Sequence, residues 1–298
     1  MAIKVDISKA YDRVEWSFVW FIMKKLGFCS KWIEWMKACA STISYSVIVD
    51  GTPTDFFKSS RGLRQRDPLS PYLFLFCAEG LSYLLHKGEE NNLFQGLRLN
   101  SRCPTIHHLL FADDSLLFCK ATKYNYSNLS QILQLHGRLS GQQINFSKSA
   151  VFFSKNTPLP IRTELAASLE VPNIGTQDKY LGLPFIVHRS KKETFAFIKE
   201  KVAKKLSHWN KSFLSASGRE VLIKAVGSAI PIYTLDCFKF SYTLLDELHR
   251  MMIQFWWGQK QNEKKMQWIS WDTMTREKNF GGMEFKNLKA FNLAMLAK

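Results

Sequence analysis

The chain has 298 residues, 46% hydrophobic and 22% charged, a globular composition that excludes disorder and gives length enough for two domains. Its formal net charge of +16 exceeds what solubility needs and points to a polyanionic partner, nucleic acid ahead of an acidic membrane surface. No apolar run is long enough to span a membrane; the longest, Pro71 to Leu85, is broken by Glu79 and Gly80. The opening Met1-Ala2-Ile3-Lys4-Val5-Asp6 is no signal peptide, so an intracellular setting, nucleus or cytoplasm, is expected, with no membrane partner. The six cysteines (Cys29, Cys39, Cys77, Cys103, Cys119, Cys237) never fall two to four apart. Each lies in or beside an apolar stretch, which predicts reduced, buried thiols rather than a zinc site or disulfides.

In chain order, Ile3 to Ser8 alternates apolar and polar residues and predicts a strand with Asp6 on its polar face. Trp16, Val19, Trp20, Met23 and Leu26 follow at helical spacing, with Gly27 as a stop. Ser30 caps a second helix carrying Trp32, Trp35, Met36 and Cys39. Tyr45 to Asp50 reads as a strand, Asp50-Gly51 as a turn, and a further strand lies near Phe56. Ser59 to Ser70 is a polar, basic loop, and Pro71 opens a helix reaching about His86. Strands are predicted at Gly96 to Leu99, Ile106 to Ala112 and Ser115 to Cys119, with Asp113-Asp114 at the bend between the last two. Asn128 to Leu139 reads as a helix closed by Gly141, followed by strands at Ala150 to Phe153 and Lys179 to Leu183. Beyond Phe185 the chain turns more basic and helical, so a boundary is expected there: residues 1–185 and 186–298.

The strongest chemical signal is Phe111-Ala112-Asp113-Asp114-Ser115-Leu116-Leu117-Phe118, two adjacent carboxylates between apolar runs. Unpaired charges so placed are costly, and a divalent cation would relieve the cost. Mg²⁺ takes hard oxygen ligands, and one or two carboxylates plus substrate phosphates suit it. Asp6 could supply a third carboxylate, and three such groups can hold two ions for in-line phosphoryl transfer. Asp-Asp at a hairpin is also ordinary turn chemistry.

Three segments, Asp6 to Trp16, Arg61-Gly62-Leu63-Arg64-Gln65-Arg66-Asp67-Pro68-Leu69-Ser70-Pro71, and Phe111-Ala112-Asp113-Asp114, resemble motifs A, B and C of reverse transcriptases, in that order. The resemblance is to the LINE-type, non-LTR retrotransposon enzymes common in plants. Gly141 to Ser149 resembles motif D, and Tyr180-Leu181-Gly182-Leu183-Pro184 the segment near the primer grip. Similarity continues through Trp209, Leu214 to Lys224 and Phe255-Trp256-Trp257-Gly258.

The resemblance implies an α+β fold: a polymerase palm with an antiparallel sheet and flanking helices, then a mainly helical thumb. It implies RNA-directed DNA polymerisation with an RNA template, a DNA primer, dNTP and two Mg²⁺ ions, Mn²⁺ being the alternative ion. Asp6, Asp113 and Asp114 would be the metal-binding carboxylates. Tyr11 would be the steric gate under the sugar, or else a core aromatic. Gln65 would contact the incoming nucleotide, and Lys148 would be a general acid for pyrophosphate or a solvated surface lysine. Leu181 and Gly182 would lie near the primer end.

Lys191, Lys192, Lys199, Lys201, Lys204 and Lys205 oppose a Phe195, Ile198 and Val202 stripe. They read as a solvated helix face, or in a thumb as contacts to template–primer phosphates, extended by Arg219 and Lys224. Trp256, Trp257, Trp268 and Trp271 read as core packing ahead of base stacking.

Two departures from the family stand out. Arg66 occupies the motif B position that is usually glycine, and either intrudes on the nucleotide pocket or swings into solvent. The chain also starts five residues before Asp6, without the family's upstream fingers and endonuclease. A truncated fragment is therefore expected, with uncovered apolar palm surface and a tendency to self-associate. The alternative to an active enzyme is a catalytically dead nucleic-acid-binding remnant of a retroelement.

Overall fold

The computed structural model describes residues 1–169, 179–209, 214–258 and 266–297. The chain divides into two units, Met1–Gly175 and Thr176–Lys298. The division falls ahead of the change in character that composition places after Phe185.

The first unit is built on β1 (Ala2–Ser8), whose Ile3 and Val5 are buried while Lys4 and Asp6 take the other face. That alternation is why the segment extends. After it come helices α1 (Trp16–Lys25) and α2 (Ser30–Ser41) and four two-residue strands: β2 (Ser44–Tyr45), β3 (Ile48–Val49), β4 (Thr52–Pro53) and β5 (Phe57–Lys58). The single strand expected over Tyr45 to Asp50 is thus split. Ser46 Oγ donates to Thr54 O (2.6 Å) and Val47 N–H donates to Thr54 Oγ1 (3.1 Å), which breaks the hairpin into a β2–β5 and a β3–β4 ladder. The Asp50-Gly51 turn forms as expected, both residues having positive φ, between β3 and β4. Val47, Ile48, Phe56 and Phe57 in this region are all at least half exposed.

Helix α3 (Ser70–Glu90) opens on Pro71, which needs no backbone donor there, and runs four residues past His86. Next come β6 (His108–Phe111), β7 (Asp114–Phe118), α4 (Lys123–Ser140), β8 (Gln143–Ile144), β9 (Ala150–Phe152) and α5 (Leu159–Leu169). Gly96 to Leu99 is not a strand; a lone bridge joins Leu97 to Ile106. Helix α4 starts earlier than expected because the Thr122 side chain accepts from Asn125 N–H and caps it; Gly141, in the left-handed region, closes it as predicted.

The sheet is antiparallel, ordered β6-β7-β1-β8, with β9 also pairing along β1. One apolar cluster packs Ile3, Val5 and Leu117 of the sheet against Leu81, Leu85 and Leu129. A second gathers Val14, Val19, Met23 and Leu63 beneath Leu73 and Phe74 of α3.

The second unit begins with the hairpin β10 (Lys179–Tyr180) and β11 (Leu183–Pro184). The strand expected over Lys179 to Leu183 is folded back on itself at Leu181-Gly182, both with positive φ. Helices follow: α6 (Lys191–Thr194), α7 (Ala196–His208), α8 (Ala216–Leu222) extended by one π turn (Ile223–Gly227), α9 (Ile232–Cys237), α10 (Tyr242–Trp256), α11 (Trp271–Met274) and α12 (Leu288–Leu296). The predicted Phe195, Ile198 and Val202 stripe is fully buried and meets Leu244, Leu248 and Met252 of α10. Asn292 is buried and donates to Leu235 O (2.6 Å) and Phe238 O (2.9 Å) while accepting from Phe240 N–H (3.0 Å). Those three bonds fasten α12 to the end of α9.

The cysteines are all free, but only Cys77 and Cys119 are buried; Cys29, Cys39 and Cys237 are exposed. An apolar neighbourhood in sequence did not bury these three, because they sit on outward helix faces or ends. Burial pushes the Cys77 thiol up to about 12 and Cys119 up to about 11. Of the tryptophans, Trp271 is buried, Trp256 packs against the core and Trp268 is 76% exposed. No helix among the described residues is long and apolar enough to cross a membrane.

Burial lowers His136 and His249 from 6.5 to about 4. Leu288 N–H donates to His249 Nε2 (3.0 Å), which requires that nitrogen to be unprotonated. Unfolded, both rings take protons near pH 6.5; folded, they resist until about 4. The stability they confer is whole above pH 6.5 and is lost as pH falls towards 4. Urea midpoints should therefore drop between pH 7 and 5, and equal midpoints would contradict this.

Candidate active site

Asp6 lies near the end of β1, directly opposite Asp114 of β7 in the antiparallel register. Side chains of such opposed residues leave the same face, with Cβ atoms about 5 Å apart. Asp113 is exposed on the two-residue bend between β6 and β7, next to Ala112, which holds φ at +50°. A left-handed alanine at a hairpin tip is strained, and such strain gathers at functional sites. Among the described residues, no ion pair or side-chain hydrogen bond engages any of the three carboxylates. Nor, among the described residues, do three His, Cys, Asp or Glu side chains form a ready metal cage. The donors are all hard oxygens with no ion-paired cation among the described residues, a set that suits Mg²⁺ completed by water and phosphate oxygens.

Two loops fix the chain around Asp6, one on the turn that follows β1 and one on the strand itself. In the first, Leu63 N–H donates to Tyr11 O and Gly62 N–H to Val14 O, each at 2.8 Å. Trp16 Nε1 donates to Gly62 O at 2.7 Å. Gly62 has φ +88°, and a Cβ there would sit 2.7 Å from Asp12 O, so only glycine permits this approach. Gln65 Nε2 donates to Asp12 Oδ1 at 3.2 Å. Arg66, the next residue, has φ +64° and an exposed side chain. The chain keeps the backbone shape that glycine favours while carrying arginine.

On the β8 edge, Asn145 N–H donates to Asp6 O (2.8 Å) and Asp6 N–H donates to Ser149 Oγ (3.1 Å). Lys148 lies exposed in the same turn, its N–H donating to Asn145 O. Asn145 and Ser149 hold Asp6 in place, yet sequence reading did not single them out. Their signal lay inside Gly141 to Ser149, but the contact itself is tertiary. Tyr11 stacks on Phe74 of α3, ring centroids 4.8 Å apart and nearly parallel. Its phenol is raised above its ordinary value by burial and then by the Asp113 charge.

A family model for reverse transcriptase (RNA-dependent DNA polymerase) matches residues 1–198. The chain belongs to the reverse transcriptase family. An uncharacterised mitochondrial protein of Arabidopsis thaliana is 50% identical over 68 residues, 23% of this chain and 56% of that protein. A retrovirus-related Pol polyprotein from a type-2 retrotransposable element of Drosophila melanogaster is 26% identical over 189 residues, 61% of this chain and 17% of the polyprotein. The chain thus spans about half or less of these relatives. Among solved structures, telomerase from Candida albicans with a telomeric RNA fragment aligns at 13% identity and TM-score 0.42, over 86% of this chain and 45% of that one. The reverse transcriptase match contains Asp6, Tyr11, Gln65, Arg66, Asp113, Asp114, Lys148, Leu181 and Gly182, as well as Lys191 and Lys192.

In the second unit, Leu181 and Gly182 form the β10–β11 tip. Lys192 and Lys199 both bond Glu247, at 2.6 and 2.7 Å, and together hold its carboxyl down at about 2. Lys201 lies over the Phe197 ring at 5.5 Å, while Lys204 and Lys205 are exposed. Lys224 pairs with Glu220 at 2.8 Å, and Arg219 Nε is buried without a hydrogen-bond partner among the described residues. The lysine row therefore divides: all four side chains are exposed, but Lys192 and Lys199 are paired with Glu247, whereas Lys204 and Lys205 form no ion pair among the described residues.

Proposed function

We propose that the chain is the RNA-directed DNA polymerase domain of a non-LTR retrotransposon. Residues 1–185 would be the palm and 186–298 the thumb and the start of the region after it. The observation that carries the reading is the placement of Asp6 opposite Asp114, with Asp113 on the same hairpin, one motif loop bonded to Asp6 itself and the other to the turn that follows its strand.

Asp6 and Asp113, with Asp114 beside them, would hold two Mg²⁺ ions. Such ions activate the primer 3′-hydroxyl and neutralise the triphosphate and leaving pyrophosphate. Tyr11, braced by Phe74, excludes a 2′-hydroxyl under the sugar. Gln65 turns towards the incoming nucleotide when it leaves Asp12. Lys148 donates a proton to departing pyrophosphate. Leu181 and Gly182 meet the primer end, and Lys191, Lys192, Lys201 and Lys205 grip template–primer phosphates. Lys192 does so only by giving up Glu247.

A second reading, a nucleic-acid-binding remnant without turnover, is favoured by Arg66 at the glycine-like backbone position. Primer extension on an RNA template annealed to a DNA primer, with Mg²⁺ and separately Mn²⁺, decides between them. Extension that disappears in Asp113→Asn is expected. Salt-dependent binding of the RNA–DNA duplex without extension would select the remnant.

A further inference from the structure

On the β8 edge of β1, across that strand from the carboxylate hairpin, lies an open groove of about 620 Å³. Three arginines from distant parts of the chain line it: Arg13 from the turn after β1, Arg61 from the loop before α3, and Arg138 from the last turn of α4. Arg61 has one acidic neighbour, Glu15 at 3.5 Å, an exposed pair that contributes little. Among the described residues, Arg13 and Arg138 have no carboxylate within ion-pair distance, and Arg13 Nε is buried with no hydrogen-bond partner. Arg138 also suits the carbonyl end of α4, but no bond from its guanidinium to those carbonyls forms. Convergence of three like charges is unfavourable unless an anion meets them, and the guanidinium fork matches phosphate oxygens. Gln143 and Phe146, both exposed, add an amide and an aromatic face to the same groove. An amide that can meet a base edge and a ring that can stack on a base suit a nucleotide strand better than a bare anion.

We propose that this groove holds the phosphodiester backbone of a single-stranded nucleic acid, outside the carboxylate site. The inference rests on the nucleic-acid reading above but concerns a different surface. Strand spacing puts the groove about 10 Å, two strands, from the β7 hairpin, so a strand can pass along it while the carboxylates stay free.

The test is fluorescence anisotropy of the full chain with a labelled single-stranded RNA of about 12 nucleotides, titrated across salt concentrations. Replacing Arg13, Arg61 and Arg138 together by Gln should weaken binding at least about tenfold. It should also flatten the salt dependence by about 2, as expected for three lost phosphate contacts. Because Arg13 packs closely, Arg138→Gln alone, at an exposed site, serves as the second variant and should flatten the slope by about 0.7. Unchanged affinity and slope in both variants, with loss only in Lys201→Gln/Lys205→Gln, would overturn the groove and leave the polymerase reading standing. No RNA binding by the natural chain would overturn both. Tripolyphosphate binding that needs the three arginines, while RNA binding does not, would make the groove a small-anion site and overturn the strand.

Discussion

Asp6→Asn should cut Mg²⁺-dependent primer extension at least about a hundredfold, since a bound ion supplies several kcal/mol of transition-state stabilisation. The same substitution should raise, not lower, the melting temperature of the metal-free protein. Asp6 and Asp114 face each other across the β1–β7 ladder with no protein cation bonded to either among the described residues. Like charges directly opposite destabilise a sheet, by a few tenths to about 1 kcal/mol. Asparagine removes that repulsion and keeps the shape. Mg²⁺ should accordingly stabilise the natural chain more than the variant. Equal Mg²⁺ shifts in the two melting curves would contradict metal binding at Asp6, and retained extension would contradict its role in transfer.

Arg66→Gly should act on stability and turnover together. At φ +64° an L-residue costs about 1–2 kcal/mol, which glycine avoids. Glycine returns part of that through its freer unfolded chain, about 0.5–1 kcal/mol. The net gain is on the order of 0.5–1 kcal/mol, or a few degrees in melting temperature. The substitution also clears a long cationic side chain from beside Gln65. If Gln65 contacts the nucleotide, extension should rise about tenfold or more, because small misplacements of bound substrate are expensive. A lower melting temperature would show that the arginine side chain holds the loop. Higher stability with unchanged extension would show that Arg66 does not obstruct the nucleotide.

Much of the site is legible in the sequence. Alternation placed Asp6 on the polar face of β1, and two carboxylates between apolar runs marked a hairpin, although its bend is Ala112-Asp113 rather than Asp113-Asp114, because Asp114 already pairs in the ladder as the first residue of β7. Pro71 marked the start of α3 and Gly141 the end of α4, because each satisfies a local backbone demand. The buried Phe195, Ile198 and Val202 stripe followed from helical periodicity alone.

Other features have no local signal. The first turn of α4 is polar, so periodicity began at Asn128 although Thr122 caps the helix. The two-residue strand β8 exists only because Ile7 and Ser8 offer it a ladder. Gly96 to Leu99 has strand-like residues but only one bridging partner, at Ile106. Whether a lysine of the α6–α7 row is free or bonded to Glu247 depends on a helix some fifty residues further on.

By itself, then, the sequence determined the helices and strands whose pattern repeats locally, the ordered motifs, and the family they signal. Tertiary structure alone decided that Asp6 opposes Asp114, that Asn145 and Ser149 clasp the Asp6 backbone, and that three arginines meet in one groove. The physical reason is the same in each case. Periodicity, caps and turn residues act within a few positions, whereas these contacts join residues dozens to more than a hundred positions apart and form only when sheet and helices pack.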